Sequence, residues 1–306
     1  MRKIFGIGET VLDIIFKNSQ PQAAKAGGSV LNSVVSLGRM ELPVSFISEY
    51  GQDDVGNLVD DFLKSNGVNT SFVHRFNNGS TALSLAFLNE KNDAHYTFYK
   101  DYPGKRLDIV FPVIEKDDIV QCGSFYAIWP EIRDKFKEFI NQAREKGGLV
   151  IYDPNFRKPH LHELEKLKPF ILENIALSDL VRGSDEDFGL IFGAGNARDA
   201  FKAVLDNGCC NLVYTANKQD VRMLSGQHTV ASSVPVIEPV STIGAGDNFN
   251  AGLIWTLTKY GISKKEMEHL PVTIMQSILA NGIFFSAEVC MSYENYISDD
   301  FASRIK

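Results

Sequence analysis

Short apolar runs alternate with helical stripes over the first 67 residues of the chain. Residues 3–8 and 43–48 are apolar runs of strand length, and a segment with apolar residues at helical spacing follows each of them. The first of these helices is expected over residues 30–37 with Ser29 as its cap, and the second is expected to end at Gly67. Alternation of this kind predicts a parallel sheet covered by helices.

The segment from residue 70 to residue 100 breaks this rhythm. Residues 81–87 and 96–99 alternate between apolar and polar positions with period two, and the polar residues 89–93 supply a turn between them. A hairpin alone is only marginally stable, so it needs partner strands, and residues 11–24 are the best candidates. We therefore expect a small β-sheet that projects from the α/β core as a lid. The alternative is an antiparallel edge of the main sheet.

Three further strands are expected at residues 149–152, 179–183 and 211–215, and each delivers a polar cluster. The clusters are Asp153-Pro-Asn155-Phe-Arg157, Ser184-Asp-Glu-Asp187 and residues 216–220. In open α/β sheets ligands bind at the carboxyl ends of the strands, so we expect the functional site there.

The glycine-rich turn Ser241–Asp247 is the strongest chemical signal in the chain. An apolar stretch at residues 234–240, compatible with a strand, precedes it, and apolar residues at helical spacing follow it. The free amides of the helix N-terminus would form a cradle for an anion. Asp247 could cap this helix or act as a general base beside a bound phosphoryl group, and the turn alone leaves both open. No P-loop and no dinucleotide-binding glycine motif occurs in the chain.

Composition excludes several classes of protein. The 306 residues are 44% hydrophobic and 23% charged, with a net charge of −7, which argues against nonspecific nucleic-acid binding. No uninterrupted apolar stretch of 18 residues is present, and Met1 leads directly into a strand. The four cysteines lack C-x-x-C spacing, so reduced thiols are expected. These observations predict a cytoplasmic enzyme without nucleic-acid or membrane partners.

Four motifs, taken in order, resemble one family along essentially the whole chain. They are Gly27-Gly28-Ser-Val-Leu-Asn32, Gly51-Gln-Asp-Asp-Val-Gly56, Asp153-Pro-Asn155-Phe-Arg157 and Gly244-Ala-Gly-Asp247. The chain resembles the ribokinase-like (PfkB) carbohydrate kinases and is most similar to fructokinases. The resemblance implies a three-layer α/β/α core, with a mostly parallel sheet of the nine-stranded type, plus a small β-sheet lid. The implied core covers residues 1–10, 27–68 and 104–306, and the discontinuous lid covers residues 11–26 and 69–103.

The resemblance also implies a reaction and a set of site residues. ATP would be the donor with Mg²⁺ as counter-ion, and the reaction would phosphorylate a sugar hydroxyl. Asp247 would be the general base, and Gly244, Ala245 and Gly246 would hold the transferring phosphoryl group. The implied sugar-binding residues are Asp13, Gly28, Asn32 and Arg157. The implied nucleotide-binding residues are Ser184, Thr215, Asn217, Thr242, Gly244, Gly246 and Asn281, and Asp187 would reach Mg²⁺ through water.

Glu9 followed by Asp13 resembles the opening of fructokinases, which favours fructose as the substrate. Ribose, 2-keto-3-deoxygluconate, tagatose 6-phosphate or a nucleoside are alternatives in the same fold. A sugar-binding regulator that has lost turnover is an alternative of a different class. A lid sheet with exposed edges also predicts a homodimer formed through the lid.

The chain departs from the family pattern mainly on the nucleotide side. Ser241 stands where the signature has Asp, and Met291-Ser292 stands where Gly-Ala is usual. Asn217 and Asp220 replace glycines of the usual loop near the nucleotide. Because the first two departures fall where the family holds a monovalent cation, we expect that cation site to be weak or absent.

Overall fold

The computed structural model describes residues 2–90, 94–216 and 220–306. The strands, in chain order, are β1 (Ile4–Ile7), β2 (Val11–Lys17), β3 (Gln20–Gly27), β4 (Val44–Gly51), β5 (Asn69–Phe76), β6 (Ser80–Leu88), β7 (Ala94–Asp101), β8 (Ile119–Gly123), β9 (Leu149–Asp153), β10 (Leu180–Ser184), β11 (Asn211–Thr215), β12 (Val221–Ser225) and β13 (His228–Ser232). The α-helices are α1 (Ser29–Arg39), α2 (Asp54–Ser65), α3 (Arg133–Glu145), α4 (Leu164–Ala176), α5 (Asp185–Phe192), α6 (Ala197–Asp206), α7 (Ala245–Lys259), α8 (Val272–Cys290) and α9 (Asp299–Ile305).

A nine-stranded sheet forms the centre of the molecule, in the order β13-β12-β11-β10-β9-β8-β1-β4-β5. The strands from β5 to β11 pair in parallel, whereas β12 and β13 add an antiparallel hairpin at one edge. Every residue of β1, β4, β8 and β9 is buried, because helices cover both faces of the sheet. This confirms the expected α/β/α core.

Two hydrophobic clusters lie on opposite faces of this sheet. Successive residues of β1 divide between them, with Ile4 in the cluster that includes α1, α7 and α8, and Phe5 in the cluster that includes α3 and α4. The division follows from the period of two along a strand. It places α1 and α7 side by side on one face, and both helices begin at the carboxyl edge of the sheet, next to the candidate site.

The small sheet is separate from the large one, with the order β3-β2-β6-β7. Its hairpin pairs through β6 with β2, which lies within the expected partner segment 11–24, and this pairing is parallel. The other strand of the sheet, β3, pairs with β2. The lower bound expected for the second lid segment, residue 69, is wrong. Residues 69–76 form β5, which pairs in parallel with β4 and buries Val73 and Phe76. The strands of the small sheet therefore span residues 11–27 and 80–101.

Two local expectations also differ from the structure. Ser29 is the first residue of α1, and Gly28 occupies the cap position without a side-chain cap. The approach to the glycine turn, residues 234–240, forms no strand. Pro235 and Pro239 remove two backbone donors from that stretch, so it cannot pair regularly.

Within the described residues, α8 alone is long and apolar enough, by length and composition, to cross a membrane. Its mean hydropathy of 1.3 arises without an uninterrupted apolar stretch, since Gln276, Asn281 and Ser286 interrupt it. Ile278 and Phe285 are fully buried in the core beside α7. Here α8 serves as a core helix of the α/β/α fold.

Candidate active site

The glycine turn opens α7 as an uncapped helix N-terminus. Gly244 is the cap residue in the left-handed conformation, with φ 79°, and no side chain caps the helix. A Cβ at Gly244 would lie 2.6 Å from the carbonyl oxygen of Asn295, so both the backbone angle and the space require glycine. The Ala245 amide makes a long hydrogen bond of 3.3 Å to the Thr242 carbonyl. The other first-turn amides and the positive end of the helix dipole are available to an anion.

Asp247 lies in the first turn of α7 and contacts α1. The Nδ2 of Asn32 donates to Oδ2 of Asp247 at 2.8 Å, and the hydroxyl of Ser33 donates to the Asp247 backbone carbonyl. Burial raises the pKa of the Asp247 carboxyl to about 7. The Asn32 hydrogen bond and the charges of Arg157 and Arg182 act in the opposite direction. Asp247 is not the helix cap, which leaves its carboxylate available for proton transfer.

Asp153, at the end of β9, connects three elements behind the cradle. Its Oδ2 accepts from Nη1 of Arg182 at 2.9 Å and from Nδ2 of Asn250 at 2.7 Å. Its Oδ1 accepts from the amide of Asn155, which has φ 40°. Asp153 thereby fixes the position of a buried guanidinium next to the glycine turn.

Asp187 has a structural set of partners. Its Oδ2 accepts from the amide and hydroxyl of Ser184 at 2.7 and 2.6 Å, which completes a capping box at the start of α5. Its Oδ1 accepts from the amide of Phe156 at 2.7 Å, and only 3% of the residue is exposed. Both carboxylate oxygens are therefore engaged by the protein, and this geometry does not favour a water-mediated role toward Mg²⁺.

The expected sugar-binding residues lie on three elements around Asp247. Asp13 on β2 lies over the glycine pair before α1, because a Cβ at Gly27 would be 2.2 Å from Oδ2 of Asp13. Gly28, with φ 139°, packs against the Glu9 carbonyl in the same way. Burial raises the pKa of the Asp13 carboxyl to about 6, and the charge of Glu9 adds to the effect.

Arg157 is exposed and its charge acts across this space. It lowers the pKa of Asp247 on the core side and opposes the burial-driven rise in the pKa of Tyr96 on the small sheet. A cation between the two sheets is suited to an acceptor or a phosphoryl group that carries negative charge.

Two cavities meet at Thr242. The first, of about 350 Å³, has Arg182, Thr215 and Gly246 at one end and the apolar residues Val221, Val234, Ile283 and Ala287 along its walls. The second, of about 330 Å³, lies between the small sheet and the loop before the glycine turn. Its walls include Asp13, Lys25, Tyr96 and Asn295.

The expected nucleotide-binding residues divide into two groups. Thr215 and Thr242 line the first cavity, next to the cradle. Ser184 caps α5, and Asn281 donates to Oγ1 of Thr256 at 2.9 Å, where it holds α8 against α7. Neither of the latter two lines a cavity described here. Asn217 lies outside the described residues.

The segment at the expected monovalent-cation site is held by direct hydrogen bonds. The hydroxyl of Ser241 accepts from the Ile243 amide at 3.2 Å. The amides of Val240 and Ser241 donate to the carbonyl of Cys290 at 2.8 and 3.4 Å. One backbone carbonyl of the facing segment, which would otherwise be available to a cation, is thus occupied.

Sequence reasoning missed Arg182, Asn250 and Lys25. Arg182 is the only charged residue within the apolar run of β10, and this isolated charge was the available signal. Asn250 follows the glycine signature directly and gave no signal of its own. Lys25 reaches from β3 to the carbonyl of Tyr293 and the carboxylate of Glu294, at 2.6 and 2.8 Å. This contact joins the small sheet to the loop that abuts Gly244.

Comparison with known proteins agrees with this geometry. Residues 1–270 match the family described as pfkB family carbohydrate kinase. The chain is a member of this family. As a pfkB family member it is an ATP-dependent carbohydrate kinase with the ribokinase-like fold.

Curated relatives within the family are distant. The aminoimidazole riboside kinase of Salmonella typhimurium is 23% identical over 262 residues, with 85% of this chain and 82% of the relative covered. The fructokinase of Vibrio alginolyticus is 21% identical over 285 residues, with 92% and 91% covered. Identity at this level supports the family and leaves the sugar open.

Solved structures share the whole fold. Aminoimidazole riboside kinase from Salmonella enterica, complexed with aminoimidazole riboside and an ATP analogue, superposes with a TM-score of 0.84 at 19% identity and 99% coverage of both chains. Fructokinase from Vibrio cholerae O395, bound to fructose, ADP and calcium, gives a TM-score of 0.82 at 21% identity, with 96% of this chain and 94% of the other covered.

Proposed function

We propose that this carbohydrate kinase transfers the γ-phosphoryl group of ATP to a hydroxyl of fructose, with Asp247 as general base. The observation that carries the proposal is the position of the Asp247 carboxylate, in the first turn of an uncapped helix N-terminus, with a pKa raised to about 7. A base needs a pKa near the working pH, and the amides beside it can stabilise the phosphoryl group as charge develops.

The cradle would bind the transferring phosphoryl group, and the residues on the sugar side would position the acceptor. The turn Gly244, Ala245 and Gly246 offers backbone amides to the transferring group, while Asp247 accepts the proton of the attacking hydroxyl. Asp13 and Asn32 would accept and donate hydrogen bonds to sugar hydroxyls and so position the acceptor. Gly28 would let the sugar approach the backbone, and Arg157 would offset negative charge near Asp247.

The described residues fit Mg²⁺ that is carried mainly by the nucleotide. They contain no group of three or more His, Cys, Asp or Glu side chains able to hold a metal ion. Asp187 is fully engaged, and Asp153 is paired with Arg182. Magnesium in kinases is commonly bound by phosphates and waters with few carboxylates. Binding of this kind requires few ligands from this chain.

Fructose is favoured by the Glu9 and Asp13 pair and by the fructokinases among the relatives. In the fold, Asp13 faces the glycine pair before α1, where a compact polyol would meet both Asp13 and Asn32. Glu9 accepts from the hydroxyl of Tyr102 at 2.9 Å and pairs with Lys100. Its position is therefore fixed before any sugar binds.

A riboside is the second candidate, because the second cavity extends beyond the sugar-binding residues. Asp13 lies on its wall, and Ile15, Ala86, Leu88 and Tyr96 give it an apolar side. A heterocyclic group attached to a ribose could occupy this space, whereas free fructose would leave it to water. The aminoimidazole riboside kinase relative and its complex support the same candidate.

The decisive experiment is a coupled assay of ADP formation over a panel of acceptors. The panel contains fructose, ribose, 2-keto-3-deoxygluconate, tagatose 6-phosphate, a nucleoside and aminoimidazole riboside, and Asp247→Asn serves as the inactive control. The highest kcat/KM is expected for fructose. A higher kcat/KM for the riboside selects the second candidate. Sugar binding in calorimetry without turnover of any acceptor would contradict the kinase assignment and support a regulator.

A further inference from the structure

Arg182 is a buried cation at the point where the first cavity meets the glycine turn. The residue is 8% exposed and lies on β10, in the middle of the large sheet. A Cβ at Gly246 would lie 2.7 Å from its Nη1 and 3.1 Å from its Nη2. The guanidinium therefore packs directly on Gly246, the last residue of the cradle, and glycine is needed there to let it approach.

Two anchors fix the orientation of this guanidinium. Nη1 donates to Oδ2 of Asp153 at 2.9 Å, and Nη2 donates to Oγ1 of Thr215 at 3.0 Å. Each terminal nitrogen carries two hydrogens, so these bonds leave at least one N–H on each of them. Arg182 lines the first cavity together with Gly246 and Thr242, which makes these N–H groups available to a ligand there.

The charges around the cradle explain why a cation is needed at this place. Asp153 and Asp187 lie behind it. Burial raises the pKa of both Asp187 and Asp247, and the charge of Asp153 adds to this rise. A phosphate group in the cradle would be repelled by these carboxylates. Arg182 is the cation that pairs with Asp153 and lies between it and the cradle.

We propose that Arg182 contacts the phosphoryl group that is transferred, and that Asp153 and Thr215 position its guanidinium for this contact. The planar guanidinium binds phosphate oxygens in pairs, and a fixed one loses little entropy on binding. Arg182 thus stabilises the charge of the phosphoryl group from the sheet side, while the amides of α7 stabilise it from the helix side. This inference rests on the proposed position of the γ-phosphoryl group.

Calorimetry with two nucleotides separates this role from a purely structural one. Wild-type protein and Arg182→Gln are titrated with ADP and with a non-hydrolysable ATP analogue. The affinity of the variant for the ATP analogue is expected to be lower than that of wild type by about tenfold or more. Its affinity for ADP should stay within about twofold of wild type. Equal losses for both nucleotides, or no loss for either, would overturn the contact with the transferred group.

Two further variants exclude indirect effects. Arg222→Gln neutralises an exposed arginine on β12 and should bind both nucleotides as wild type does. The double variant Asp153→Asn with Arg182→Gln removes the arginine together with the carboxylate that it pairs with. If this double variant recovers wild-type affinity for the ATP analogue, Arg182 acts only by masking Asp153, and the proposal is wrong.

Kinetics completes the test and covers the case in which Arg182→Gln does not fold. Arg182→Lys keeps the charge but loses the paired geometry, so kcat should fall by about tenfold or more with the KM for sugar unchanged. Unchanged kcat in Arg182→Lys would count against the inference. If wild-type protein turns over sugar and the Arg182 variants show none of these changes, only the role of Arg182 is refuted. If wild-type protein shows no turnover, the proposed function is refuted.

Discussion

The side-chain amide of Asn32 donates a hydrogen bond to the carboxylate of Asp247, with 2.8 Å between Nδ2 and Oδ2. The two residues are 215 positions apart and lie in the first turns of α1 and α7. This bond stabilises the charged form of Asp247 and therefore lowers its pKa, against the larger effect of burial. Asn32, which we propose as a sugar ligand, therefore also lowers the pKa of the proposed base.

Replacing Asp247 tests the general base directly. Asp247→Asn keeps the size and removes the basicity, so kcat should fall by roughly 10²–10⁴. The measurement is kcat with saturating sugar and ATP on purified protein. More than about a tenth of wild-type kcat would contradict the assignment.

Thermal unfolding is the control for this variant. The folded pKa of Asp247 is raised above its unfolded value, so the carboxyl group favours the folded state less as pH rises from about 4 to 7. Asp247→Asn removes this pH-dependent loss of stability. The difference in Tm between the variant and wild type should therefore be more favourable to the variant at pH 8 than at pH 4. A fall in Tm at pH 8 would show that lost activity reflects lost structure.

The pH profile of kcat/KM should reveal Asp247 and its hydrogen bond to Asn32. With a pKa of about 7, activity should rise with pH as the carboxyl loses its proton and level off above it. Asn32→Ala removes a bond that lowers this pKa, so the rising limb should move to higher pH. If kcat/KM of Asn32→Ala falls at every pH but the rising limb stays at the same pH, Asn32 acts only as a sugar ligand and does not control the pKa of Asp247.

Sugar use should depend on Asp13 while nucleotide binding does not. A hydrogen bond to a charged group contributes on the order of 1.5–3 kcal/mol, so Asp13→Ala should lower kcat/KM for the sugar about tenfold or more. Calorimetry with ADP should give wild-type affinity. Equal losses for sugar and nucleotide would contradict a role confined to the sugar side.

Asp187→Ala should reduce stability and leave the magnesium requirement as it is. The variant loses the capping box of α5 and the bond to the Phe156 amide, which together contribute on the order of 1–3 kcal/mol. The apparent affinity for Mg²⁺, taken from rates at fixed ATP, should stay within about twofold. A tenfold rise in the magnesium needed for half-maximal rate would instead support the water-mediated role.

Potassium should have little effect on the rate. Ser241 lacks the carboxylate that offsets the dehydration of a cation, and its hydroxyl already accepts from the Ile243 amide. Initial rates in potassium and in tetramethylammonium salts at matched ionic strength give the comparison. An increase of tenfold or more in potassium would contradict the prediction, and Ser241→Asp is the variant expected to gain sensitivity.

The alternation of strands and helices and the glycine turn could be predicted from the sequence. Hydrophobic periodicity and glycines at special backbone positions are both visible in the order of the residues. Sequence reasoning placed the hairpin in a separate sheet but put residues 69–76 there as well, since pairing with β4 depends on tertiary contacts. It missed the role of Arg182, because the isolated charge in β10 does not reveal that Asp153 and Thr215 hold the guanidinium. The role of Asp187 likewise depended on the Phe156 amide, 31 residues earlier.

The chain order of the site residues has a consequence for biosynthesis. Asp13, Asn32 and Arg182 belong to the segments that leave the ribosome first, whereas the cradle and Asp247 belong to α7. A nascent chain that has emerged only as far as β11 therefore carries the proposed sugar-binding side chains but has neither the proposed base nor the anion cradle. Its α1 also lacks the helix against which it packs. The proposed base and phosphoryl site therefore become complete only after α7 has been synthesised.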